Sequence, residues 1–157
     1  MRIFNRFKTR TNLYDEFFGH LQPVKSGKNA VTILKGKTYF HPTNSVTEFF
    51  IHTDSEGPSE GQRQFYSDLQ TRFNEYAEKM TTVILSEYRQ ATPQFTIEEL
   101  KKEFQVVSIV IPVVPGESSA WSLLLMSRSA RDLTIKIEFT GQQPSGISRG
   151  NSLVPVL

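Results

Sequence analysis

A chain of 157 residues with 38% hydrophobic and 22% charged side chains is about one domain long, and this composition excludes a fibrous repeat and a wholly disordered polymer. It contains no Cys, which excludes disulfides, thiolate metal sites and a cysteine nucleophile together. The formal charge of +2 hides an asymmetry: Arg2, Arg6, Lys8 and Arg10 fall in the first ten residues without an acid, and with those four of the 18 bases set aside, 14 face 16 acids.

Residues 1–12 therefore read as a basic arm in which Ile3, Phe4 and Phe7 alternate with the charges. Such an arm can touch phosphates or an anionic surface, or lay its apolar residues on the body of the domain. Elsewhere the aromatics lie at core spacing on a slightly acidic chain, which argues against a nucleic-acid footprint. No apolar run reaches the ~18–20 residues that a membrane span requires. The basic start lacks the apolar run and small-residue cleavage site of a signal peptide, so the expectation is a cytoplasmic protein.

Leu13 to Val24 suggests a short helix or turn entering a strand. Asn29–Leu34 and Thr38–His41 flank Lys35-Gly36-Lys37, which reads as a hairpin because a Gly in a polar break separates two β-branched and aromatic runs. After the break at Pro42-Thr43-Asn44, Val46–Thr53 reads as a third strand, with Phe50 on one face and Phe49 and Ile51 towards the other.

One long helix is expected from about Pro58 to Thr92. Phe65, Leu69, Phe73, Tyr76, Met80, Val83, Ile84 and Tyr88 recur at three- and four-residue steps and share one face. At 1.5 Å per residue it would run on the order of 50 Å. Its start is offered twice, by Pro58 in a first turn and by a Ser59/Gln62 capping box, and Pro93 ends it. A short second helix begins at Thr96, where Thr96 and Glu99 form a capping box and Phe95 can staple onto Leu100.

Gln105–Val114 is almost continuously apolar and β-branched, the pattern of a central strand covered on both faces. Trp121–Met126 and Leu133–Thr140 form a hairpin; in the latter, Leu133, Ile135, Ile137 and Phe139 alternate with Thr134, Lys136 and Glu138. Residues 141–157 are rich in Gly, Ser and Pro and read as a tail, with room for one short strand at Leu153–Val156. The expected fold is α+β, an antiparallel sheet of about six strands with one long and one short helix on one face, in the order βββ-αα-βββ. Residues 13–140 would form its single domain.

His52, Asp54 and Glu56 are two residues apart, so on an extended chain they would project to one side as metal ligands do. That spacing supports a metal-dependent hydrolase as one alternative, and a polar strand end before a helix N-terminus as the other. No G-x-S-x-G elbow, phosphate-binding loop or G-x-G-x-x-G occurs, and His20, His41 and His52 lie on separate segments. No cofactor is called for.

Phe18-Gly19-x-Leu21, a strand meander, a polar loop into a helix with Gln62 or Gln64 near its start, Phe95-Thr96-x-Glu98-Glu99-x-Lys101, an apolar strand and a Trp-headed hairpin succeed one another over residues 17–140. In that order they resemble small bacterial α+β domains of unknown function, some of them regarded as immunity proteins encoded beside toxins. The basic arm and the tail lie outside the resemblance. It implies a non-catalytic module that binds another protein, a toxin for example. The binding surface is expected at the wet sheet face around Thr134, Lys136 and Glu138, or at the acidic loop with Asp54, Glu56 and Glu60, which could plug a basic active site. A homodimer completed by a sheet edge or the tail is a further alternative.

Overall fold

The computed structural model describes residues 12–24, 32–54, 57–87 and 96–150. The arm, Glu56, the Phe95 staple, Tyr88, the helix stop before Pro93 and the strand expected at Leu153–Val156 lie outside these residues. Among them eight strands form one mixed sheet, accompanied by three α-helices. This corrects the expected six-stranded antiparallel sheet with two helices.

The first difference comes before the long helix. β1 (Leu13–Asp15) and β2 (Gly19–Val24) form a hairpin. Its turn is held by Asp15, whose Oδ1 accepts from the N–H groups of Phe17 and Phe18, both at 2.9 Å. Gly19 closes it at φ +74°, a conformation that costs a glycine little. The hairpin expected at Gly36 is instead one straight strand, β3 (Thr32–Phe40). A Cβ on Gly36 would lie 2.5 Å from the Phe49 ring, so this glycine makes room for an aromatic side chain and does not turn the chain. A 3₁₀ turn at His41–Thr43 and left-handed Asn44 lead into β4 (Ser45–Thr53).

The long helix is two helices, α1 (Glu60–Thr71) and α2 (Phe73–Glu87). Ser59 caps α1 and Gln62 completes the box, so of the two possible starts the capping box is the one used; Pro58 precedes it. The break at Arg72 involves neither Gly nor Pro. The Thr71 hydroxyl bonds back to the Ser67 carbonyl at 2.9 Å, an arrangement that bends helices, and Arg72 forks onto the Glu75 carboxylate at 3.0 and 2.6 Å. The inward positions Gln62, Tyr66, Leu69, Phe73, Tyr76, Met80 and Ile84 nonetheless keep steps of three and four across the break, all of them buried. α3 (Ile97–Glu103) begins at the expected Thr96/Glu99 capping box, with both reciprocal bonds made. Capping of this kind contributes about 1 kcal/mol.

β5 (Phe104–Ile111), β6 (Ala120–Ser127), β7 (Thr134–Thr140) and β8 (Gln143–Gly150) complete the sheet, whose strand order is the chain order. β8 lies in the stretch that reads as a tail. Neighbours are antiparallel except β4 and β5, which are parallel because the helices intervene between them. That parallel ladder runs from Glu48↔Ser108 to Ile51↔Ile111. Below it, where β5 changes register between Val106 and Ser108, side chains serve the backbone. Ser45 and Thr47 donate to the Val106 carbonyl at 2.9 and 2.6 Å, and Thr43 Oγ1 accepts from its N–H at 3.2 Å.

One face of the sheet builds the core with the helices. Phe49, Ile51, Ile109, Ile111, Leu123, Leu125, Ile137 and Phe139 have no accessible surface, and Trp121 stacks on Phe139 at 4.2 Å while its indole N–H donates to the Gly141 carbonyl at 2.7 Å. β5 is central, as its apolar run predicts, but the helices cover only one of its faces.

Candidate functional site

The opposite face of the sheet carries no helix among the described residues. Strand alternation and register assign its side chains: Ile33, Lys35, Lys37 and Tyr39 from β3 lie opposite His52, Phe50, Glu48 and Val46 from β4. Ser108 and Val110 of β5, Ser122 and Leu124 of β6, and Lys136 and Glu138 of β7 lie on the same face, where Ile33, Phe50, Ser108 and Ser122 are nevertheless buried. Tyr39 and Val46, which oppose each other, keep 45% and 65% of their surface exposed.

Charges on this face are paired. Glu48 sits between Lys35 at 3.2 Å and Lys37 at 3.1 Å, and Lys35 also lies 5.5 Å from the centre of the Phe50 ring. Partial burial opposes ionisation of Glu48, but the hydrogen bonds and charges of Lys37 and Lys35 outweigh it and hold its carboxyl below the ordinary value. Lys136 and Glu138, two apart on β7, pair at 2.7 Å. The result is an apolar pair, Tyr39 and Val46, on a face whose three lysines and two glutamates are all engaged in ion pairs.

The sequence-predicted residues divide between separate places. Lys136 and Glu138 share the open face, as alternation requires, but Thr134, expected beside them as a wet residue, is buried at 3%. Asp54 is exposed just beyond the end of β4, and Glu60 is exposed in the first turn of α1, where it pairs with Arg63 at 3.2 Å. Two strands separate β7 from β4, so the two expected surfaces are not one. His52 belongs to β4, but the strand ends at Thr53, so strict alternation does not carry past it to Asp54; Glu56 is outside the described residues. No group of three His, Asp or Glu side chains among the described residues is placed to hold a metal. His52 Nε2 is buried without a hydrogen-bond partner among them, and burial lowers its pKa.

Two features escaped the sequence reading. Tyr39 and Val46 oppose each other beside the turn at His41–Thr43, and nothing in strand alternation marks that pair as exposed. Gln62 is buried at the foot of α1, where its amide N–H groups donate to the carbonyls of His52 and Pro112, both at 2.7 Å, while its oxygen accepts from Ser59 N at 2.9 Å. That one side chain ties the helix start to the ends of both parallel strands; the sequence marked Gln62 as a capping residue near the helix start but not as a buried tie. No family model matches the chain, and no curated protein or solved structure matches it.

Proposed function

We propose that the chain is a non-catalytic protein-binding module of the bacterial immunity or inhibitor type, meeting its partner through the open face of the sheet. The observation that supports this reading is that the helices cover one side of an eight-stranded sheet while Tyr39 and Val46 stand exposed side by side on the other. Contacts of this kind concentrate binding energy in a few central apolar or aromatic groups ringed by polar ones. Ion pairs at the rim add specificity and association rate more than affinity. The Lys35–Glu48–Lys37 group, next along the same two strands, suits one side of that rim.

A photo-crosslinking residue placed at Val46 tests the reading against the same residue placed at Glu78, exposed on α2. In host lysate a single protein should crosslink at Val46 and not at Glu78, and Tyr39→Ser should abolish the product while leaving the melting curve unchanged. Equal labelling at both positions, or a product insensitive to Tyr39→Ser, would overturn it.

A further inference from the structure

A second surface lies at the opposite end of the strand order from β8, where the β1–β2 turn meets the first turn of α1. A cleft of about 580 Å³ there is lined by Tyr14, Asp15, Glu16, Phe17, Glu60 and Arg63. Tyr14 and Phe17 keep 64% and 44% of their surface exposed, which makes them, with Tyr39, Val46 and Val114, the large apolar residues most open to water among those described.

We propose that this cleft docks a cationic side chain, arginine or lysine, presented by a partner protein. Three carboxylates line it against one guanidinium, and that guanidinium is already engaged. Arg63 lies 2.7 Å from Asp15 and 3.2 Å from Glu60. Asp15 is buried, and its second oxygen is taken up by the Phe17 and Phe18 N–H groups. One guanidinium thus offsets one of three carboxylates, and the exposed Glu16 and Glu60, the latter also paired with Arg63, leave the cleft with net negative charge. A cation drawn there by charge would find aromatic rings within reach, and an aromatic face attracts a cation that has shed water.

The cleft is also stiff, which reduces the ordering cost of binding. The Asp15–Arg63 bond ties the turn to the helix, and Phe17 and Phe18 pack edge-on against Tyr66 at 6.1 and 5.6 Å. Glu60, expected from the sequence to belong to an acidic loop surface, thus works with the β1–β2 turn. This goes beyond the reading of the open face and shares with it only the need for a polypeptide partner.

The test is an amide NMR titration of the full chain with the capped peptide Gly-Ser-Arg-Gly-Arg-Ser, and with its counterpart in which citrulline replaces both arginines. Saturable shifts should cluster at residues 14–18 and 60–63 with the arginine peptide only. Glu16→Gln/Glu60→Gln should weaken binding at least fivefold, and Tyr14→Ser/Phe17→Ser should do so with an unchanged melting curve. Glu78→Gln/Glu98→Gln, which removes the same charge from α2 and α3, should leave binding intact. Equal binding of the citrulline peptide, scattered shifts, or equal loss in the Glu78/Glu98 variant would overturn the proposal. Should the aromatic variant unfold, the two carboxylate variants decide alone. The Val46 crosslink is unaffected by any of these outcomes, so the two surfaces are judged separately.

Discussion

On β4, Phe49 and Ile51 point towards the helices and have no accessible surface, while Val46 on the other side of the same strand keeps 65% of its own. The helices bury every inward position of β4, whereas the other side grades from exposed Val46 to Phe50 at 8%. Stability and recognition should accordingly separate by face. Phe49→Ala removes a ring packed against Phe18 and Tyr66 at centroid distances of 5.1 and 6.2 Å, and should cost about 3–5 kcal/mol. Val46→Thr should stay within about 0.5 kcal/mol. Urea unfolding of the two variants checks this, and comparable losses would erase the distinction between the faces.

The covered face also depends on a polar side chain. Gln62→Ala leaves two strand-end carbonyls and the Ser59 N–H short of a partner, and unsatisfied buried groups cost about 1–3 kcal/mol each. Some of that will be recovered by water, so a loss near 2–3 kcal/mol is expected in the same urea measurement. Gln62→Glu keeps an acceptor for Ser59 but loses both donors, so it should be no better than alanine. A variant as stable as the parent would show that the helix start is held by its apolar contacts alone.

Gly36→Ala comes next, at about 1–3 kcal/mol, because its methyl would press on the Phe49 ring and a packed core resists added volume. Combined with Phe49→Leu, the alanine should cost less than it does alone, since the opposing ring is gone. Additive losses in that double-variant cycle would mean that the close approach is not what requires glycine there.

Gly36 also shows what limited the sequence reading. A glycine between β-branched runs marks a turn or a close approach equally well, and only Phe49, thirteen residues on, decides which. Reading a turn there placed Lys35 and Lys37 in a loop and hid their pairing with Glu48 on the open face. The helix break escaped because Thr71 and Arg72 are ordinary helix residues; the bond from Thr71 back to Ser67 is no signal by itself, since Thr81 and Thr82 make the same bond inside unbroken α2. β8 carries Pro144, Gly146 and two serines, and is a strand because β7 offers it a ladder. Where local chemistry suffices, the sequence was legible: the Thr96/Glu99 cap, the opposed faces of β4, and the shared face of Lys136 and Glu138. The cleft at Glu60 needs β1 and α1 together, some 45 residues apart along the chain, and no short pattern announces that.

His52 offers the smallest effect and joins the two faces. Its side chain lies on the open side opposite Ile33, while its carbonyl is held by Gln62 from the helix side. Burial lowers its pKa from 6.5, so just below that pH the unfolded chain binds a proton that the folded chain refuses. The folded state therefore loses stability as pH falls through this window, and holds its full value above 6.5. Asp15 and Glu48 act elsewhere: their pKa values are lowered from 3.8 and 4.5, so what they contribute is present above those values and lost below them. Melting curves recorded between pH 7.5 and the carboxylate range should thus show a shallow first decline that His52→Gln removes and a steeper acid loss that it leaves in place. A partner seated on the open face would bury the imidazole further and deepen the first decline, whereas one seated at the Glu60 cleft would not, so the same titration in the presence of a partner would report which surface it has taken.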